Sequence, residues 1–268
     1  MSGNPPLTIR GSRAPAGFTL VELLVVISLL LLVMTLVIPA LNGMKGAGDV
    51  TKAAYDITGA LDQARAYAMA NNTYVYVGIG EFSSEQASSS QLQVSGTGIG
   101  RVLIATVASS DGTRGYDPQN LTTSGSSPSG TTWSASSKLG TVGTLQHIDN
   151  MHLASGLNGP NVVLPTTGGL ARPLISDTTY VISTPGPSTQ PTSFNWPPSG
   201  AARYTFNSVI NFSPQGVARI QTTSSSDLIP AYIEIGLQQT HGTVVSSGSN
   251  VAIVQVDGVS GQTRIYRP

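Results

Sequence analysis

The sequence predicts an α+β chain. A long N-terminal helix, hydrophobic first and amphipathic after, packs against a C-terminal β-sheet or β-sandwich head. Three observations predict it. From Phe18 to Leu41 only Thr19, Glu22, Ser28 and Thr35 carry polar side chains, and those positions make a helix of about 36 Å at roughly 1.5 Å per residue. From Asp49 to Asn71 the residues Val50, Ala54, Ile57, Leu61, Ala64 and Ala68 recur at three- and four-residue steps, the stripe of an amphipathic helix. Beyond Asn71-Asn72 that period disappears, and short β-branched and aromatic runs alternate with Gly-, Ser-, Thr- and Pro-rich stretches.

The first sixteen residues hold Pro5, Pro6 and Pro15 and are not expected to fold. The apolar run that follows is long enough to cross a hydrocarbon core of about 30 Å. Glu22 is its anomaly. An ionisable group in a membrane segment costs roughly 2.5–3.5 kcal/mol at mid-bilayer on insertion scales, less toward the edge. No cation stands nearby, since Arg10 and Arg13 lie upstream and would face the cytoplasm by the positive-inside rule. A cut between Gly17 and Phe18 would supply one, as an α-amine that is cationic at neutral pH.

Gly17-Phe18-Thr19-Leu20-Val21-Glu22 followed by an apolar helix resembles the N-terminus of type IV pilins and type II secretion pseudopilins. The likeness covers residues 11 to about 70 and includes Gly17, Phe18, Thr19, Leu20, Glu22, the unbroken run and Pro39. It implies that a prepilin peptidase cuts after Gly17, that the new N-terminal Phe18 is methylated, and that Glu22 serves assembly with other pilin or pseudopilin subunits. A conventional signal peptide is cut after its apolar region at an Ala-x-Ala-like site; here Asn42-Gly43-Met44-Lys45 lacks that pattern and the glycine precedes the run. The expected organisation is a leader at 1–17, a transmembrane and assembly helix at 18–41, an amphipathic continuation at 42–72 and a β-rich head with long loops at 73–268. The head would lie on the outer, periplasmic or extracellular side of the cytoplasmic membrane.

Pro39 lacks an N–H donor and should kink the helix. Gly43, Gly46 and Gly48 each disfavour it by about 1 kcal/mol, so 39–48 reads as a weak point, either a segment that loosens on assembly or a break where the chain leaves the bilayer. On the amphipathic part, Lys52 with Asp56 and Asp62 with Arg65 have the spacing of solvated ion pairs. Candidate strands follow at Tyr74–Ile79, Leu92–Val94, Val102–Val107, Val162–Leu164, Tyr180–Ser183, Arg203–Phe212, Val217–Gln221, Tyr232–Leu237, Val251–Val256 and Gln262–Tyr266. The segments 109–138 and 184–200 read as long loops. Strand, turn and return strand across Ile210–Ala218, then the last three strands, resemble the C-terminal half of H-type minor pseudopilins; the stretch around 109–200 departs from them as an insertion.

Chemistry is sparse. Lysine plus arginine and aspartate plus glutamate both number 13; removing residues 1–17 leaves 251 residues with 11 basic and 13 acidic side chains, net −2. That gives no general attraction to nucleic acid. Cysteine is absent, which excludes disulfides and cysteine-based metal or redox sites. The pair His147 and His152 has a spacing that suits neither a helix face nor a strand face, and His241 is far from both. No Gly-x-Ser-x-Gly elbow accompanies these histidines. Gly96-Thr97-Gly98-Ile99-Gly100 lacks the Gly-Lys-Ser/Thr of a phosphate loop and reads as a turn. The triplets at Asn71, Asn120 and Asn211 match the glycosylation pattern by chance in a Thr/Ser-rich chain. Arg264 and Arg267 more readily solvate a terminal strand than bind phosphate. No catalytic residue, metal or cofactor is expected. The reading is a prepilin-like structural subunit; its rivals are a membrane-tethered binding protein using the same leader for export and, behind it, an anchored hydrolase.

Overall fold

The computed structural model describes residues 17, 19–85, 92–112, 125–126, 132–133, 139–155, 172–173, 175, 180–184, 194–198, 201–220, 229–247 and 250–267, with the side chains of 36–47, 125–126, 132–133 and 194 outside the description. The expected strand at Val162–Leu164 and the residue Phe18 lie outside it. The chain divides into two units, Met1–Lys45 and Gly46–Pro268. One helix, α1 (Leu20–Ala70), contributes to both. Pro39, Gly43, Gly46 and Gly48 fall inside this helical span rather than ending it.

In the second unit the strands, in chain order, are β1 (Val75–Ser83), β2 (Gln93–Val94), β3 (Gly100–Ser109), β4 (Gly125–Ser126), β5 (Thr132–Trp133), β6 (Leu139–Thr141), β7 (Gln146–Leu153), β8 (Val181–Ile182), β9 (Phe194–Trp196), β10 (Tyr204–Phe206), β11 (Val209–Phe212), β12 (Ala218–Ile220), β13 (Tyr232–His241), β14 (Val244–Val245), β15 (Val251–Asp257) and β16 (Thr263–Tyr266). The main sheet runs β12-β11-β1-β3-β7-β13-β15-β16, with β6, β8 and β14 attached at its sides. Every step of that path is antiparallel.

The sheet is wrapped on the helix. Val50, Ala54, Ile57, Leu61, Ala64 and Ala68 are all fully buried, in one cluster with Val75, Val77, Ile79, Val102, Ile104, Ile210, Phe212, Ile233, Ile235, Val254 and Val256. The predicted stripe is the buried stripe, and its alanines let the strands come close. The sheet curls so far that its ends meet: Ala218 N–H on β12 donates to Gly258 O in the β15–β16 turn (2.8 Å). Glycine is required there, because a Cβ on Gly258 would overlap the Pro230 carbonyl oxygen. The edge strand β16 is held to α1 by Thr263 Oγ1 donating to Asp62 Oδ1 (3.0 Å) and by Arg267 donating to Thr51 Oγ1.

A three-stranded sheet, β2-β10-β9, covers the far face of β1 and β3. Tyr76, Phe82, Leu103, Val107, Tyr204, Phe206 and Val209 form this second core, with Phe82 edge-on to Tyr204 at 5.3 Å and to Phe206 at 5.5 Å. Buried on both faces, β1 and β3 read as continuous apolar runs rather than alternating ones.

Several expectations need correction. Arg203–Phe212 is not one strand: Asn207 and Ser208 carry the chain from the small sheet to the large one, Asn207 N–H donating to Ser95 Oγ and Ser208 O accepting from Ile79 N–H. The stretch 109–138 contains β4 and β5, and 184–200 contains β9. Neither helix ion pair forms among the described residues; Asp62 takes the Thr263 hydroxyl instead, and Arg65 lies under the turns at Gly216 and Gly261.

The strand β7 was not anticipated. Its register with β3 slips between Gly100 and Arg101, where Asn150 adopts φ 59°. That bulge lets Ile148, Met151 and Leu153 all enter the core at uneven steps. Glu81, fully buried, repairs the ladder beside it. Its carboxylate accepts from Gly100 N–H (2.9 Å) and Leu153 N–H (3.1 Å), and His152 Nδ1 lies 2.9 Å from Oε2.

Candidate functional site

The first turn of α1 is a capping box. Thr19 is the N-cap: its hydroxyl oxygen accepts from Glu22 N–H (3.2 Å), while Glu22 Oε2 accepts from Thr19 N–H (2.9 Å) and from the Thr19 hydroxyl (2.8 Å). Two donors that a helix N-terminus leaves unmet are thereby satisfied, and the carboxylate sits at the positive end of the helix dipole. Further along, Ser28 Oγ donates to Leu24 O (2.7 Å) and Thr35 Oγ1 to Leu32 O (2.7 Å). All four polar side chains of the apolar run therefore bond to their own helix. This is how a helix hides hydroxyls where no water competes.

Around them nothing is hidden. Every apolar side chain from Leu20 to Met34 is between 47% and 80% exposed. A helix that is apolar on all sides belongs in a core or a bilayer, and an exposed apolar surface of this extent marks an interaction site. Among the described residues no helix is long and apolar enough to cross a membrane; within the run, side chains are described only as far as Thr35.

Gly17 is exposed, and a Cβ added to it would meet nothing within 4 Å. Its backbone is not in the left-handed region either. Nothing among the described residues demands a glycine at this position. Phe18, next to it, lies outside the described residues, and Pro39 is described only as backbone within α1.

The other singled-out residues do not gather. His147 is exposed on β7, His152 lies against Glu81, and His241 is exposed at the end of β13. Among the described residues no group of three or more His, Cys, Asp or Glu could hold a metal ion. Arg264 is exposed, whereas Arg267 turns inward, donating also to Asn250 Oδ1 (2.7 Å). Thr19 stands in the sequence motif, but its role as the N-cap was not read from it, although Thr-x-x-Glu before an apolar run is a cap signature.

Residues 12–38 match the family model described as the prokaryotic N-terminal methylation motif. The chain carries the N-terminal signature of the type IV pilin and pseudopilin family. The matched span takes in Gly17, Phe18, the Thr19–Glu22 box, Ser28 and Thr35, and ends before Pro39 and the head. No curated protein and no solved structure matches the chain. The matched motif has the geometry of a capped helix start with one carboxylate, preceded by an unconstrained glycine.

Proposed function

We propose that the chain is a prepilin-like structural subunit. A prepilin peptidase cuts it between Gly17 and Phe18 and Phe18 is methylated. The helix from residue 18 to 41 anchors it in the cytoplasmic membrane with the head outside, and the same helix joins it to other subunits in a pilus-like or secretion pseudopilus filament. One observation carries this reading: an apolar helical surface, exposed on all sides, whose only polar side chains are satisfied internally, inside a methylation-motif match. Such a surface needs lipid or other helices around it. Strand order in the tail, β11, β12, β13, β15 and β16, supports the finer assignment to the H-type minor branch.

Glu22 retains a negative charge that the cap does not cancel. In the cut chain the Phe18 α-amine is the nearest cation the reading supplies. Between subunits, an incoming amine meeting the Glu22 of a subunit already in place would fix the axial step, because mismatched depth is expensive at low dielectric.

Processing tests the reading first. Since the described structure tolerates a side chain at residue 17, Gly17→Val should leave the fold intact and yet leave an uncut precursor, because the constraint comes from the peptidase. Intact mass spectrometry of membrane-extracted wild-type protein, with the peptidase present, should find a chain beginning at Phe18 and carrying one methyl group. A wild-type mass beginning at Met1 would overturn the proposal.

A further inference from the structure

Arg65 lies near the end of α1, half-buried beneath two turns of the main sheet. One is the β11–β12 turn, with Gly216 at φ 81°; the other is the β15–β16 turn, with Gly261 at φ 66°. A Cβ on Gly216 would stand 3.2 Å from Arg65 Nε, and a Cβ on Gly261 would stand 3.1 Å from it and overlap Gly216 O. Both turns settle on the guanidinium, and on each other, because neither glycine carries a side chain.

The turns shield the cation without answering it. Arg65 Nε is buried with no acceptor, and among the described residues the guanidinium makes no hydrogen bond or ion pair. Two acids close to it are engaged elsewhere. Asp62, three residues back on α1, accepts from the Thr263 hydroxyl, and Asp257 Oδ1 accepts from Ser260 N–H and its hydroxyl. A cation stripped of part of its water and given no partner is unfavourable for the fold.

The rim of this cation is apolar. Met69, one turn further along α1, has its sulfur 3.0 Å from where a Cβ on Gly216 would stand and is 40% exposed. Val259, in the β15–β16 turn, is 68% exposed. Protein interfaces favour arginine and methionine, and the arginine fork takes a carboxylate through two parallel bonds. We propose that Arg65, with its rim of Met69 and Val259, is a docking surface for a carboxylate carried by a neighbouring pilin-like subunit. The inference rests on the assembly reading above, in which α1, the helix that bears Arg65 and Met69, joins subunits. The neighbour's carboxylate completes the guanidinium, and apolar groups beside that carboxylate cover Met69 and Val259.

Two readouts test this on the full chain: melting of the head in detergent, and recovery from membranes of subunits carrying the same N-terminal motif, by cross-linking and co-purification. Arg65→Met keeps an unbranched stem under the turns and removes the charge. It should melt no lower than the wild type and recover subunits at least about tenfold less well, the loss of a contact of about 1.4 kcal/mol. Gln215, exposed next to Gly216, reports the sign of the partner's charge. Gln215→Glu places a competing carboxylate beside Arg65 and should also lower recovery, whereas Gln215→Lys should leave it at the wild-type amount or above. Melting of Arg65→Met well below the wild type would overturn the proposal, because Arg65 would then serve the fold. Equal recovery by Gln215→Glu and Gln215→Lys would overturn it too, because charge would then play no part. A wild type that recovers no subunit overturns the assembly reading and this surface with it; wild-type recovery matched by Arg65→Met overturns this surface alone.

Discussion

Leu20–Met34 and Val50–Ala68 belong to one helix and treat their apolar side chains in opposite ways. In the second stretch apolar residues occupy one stripe, and each residue of that stripe is fully buried against a sheet supplied by the same chain. In the first they occupy every side, and all of them are exposed. The polar residues invert accordingly. Asp62 on the head part is bonded to the sheet through Thr263, whereas among the described residues Thr19, Glu22, Ser28 and Thr35 bond within their own helix. An amphipathic stripe is completed by its own fold; under the proposed function the helix apolar all round is completed by lipid or other helices. Function is therefore to be sought at the part the fold leaves unfinished.

The largest effect that would break this contrast is at Leu61. Leu61→Asp puts a charge without a partner into the core between α1 and the sheet, at a cost of several kcal/mol, enough to unfold a marginal domain. A shortened chain beginning at residue 47 should show mixed helix and strand by circular dichroism, and Leu61→Asp in it should lose both at temperatures where the parent is folded. Melting like the parent would show that the stripe is solvated.

Glu81→Ala comes next. It leaves the Gly100 and Leu153 N–H groups unmet at the bulge, about 1–3 kcal/mol for each. Urea unfolding of the shortened chain should show a lower midpoint with an unchanged slope. An unchanged midpoint would mean that water replaces the carboxylate there.

Leu30→Ala in the full chain sharpens the contrast from the other side. Leu30 is exposed, so the head should melt within about 2 °C of the wild type, as for a surface substitution. A shift as large as that expected of a core leucine would show that the first half of the helix is packed on its own chain.

What could be read from the sequence follows the same division. The stripe of α1 and the strands β1, β3, β13 and β15 were legible because a clean period or an unbroken apolar run spans many residues. β7 was not, because the extra residue Asn150 breaks its alternation: the inward residues Ile148, Met151 and Leu153 are separated by three and then two positions. The strands β4, β5, β9 and β14, of two or three residues, carry no period at all. At the helix start, Gly17, Phe18 and Glu22 were legible as a motif, and Thr19 was equally written there as a cap but was not read as one. The ion pair of Arg172 with Glu234 was invisible, since it depends on how a distant segment is laid over β13. The spacings of Lys52 with Asp56 and Asp62 with Arg65 permit ion pairs without requiring them, and a hydroxyl from β16 competes for Asp62.

In the proposed function Glu22 acts through its charge in assembly and not only through the cap it makes with Thr19. Glu22→Gln separates the two, because glutamine at the third helical position keeps the capping acceptor and loses the charge. The measurement is recovery of partner subunits by cross-linking and co-purification from membranes expressing wild-type, Glu22→Gln or Glu22→Ala protein. Both variants should be inserted and cut normally, and both should recover partner subunits far below the wild-type amount. Wild-type recovery by Glu22→Gln, with loss confined to Glu22→Ala, would contradict it and leave Glu22 as a helix cap.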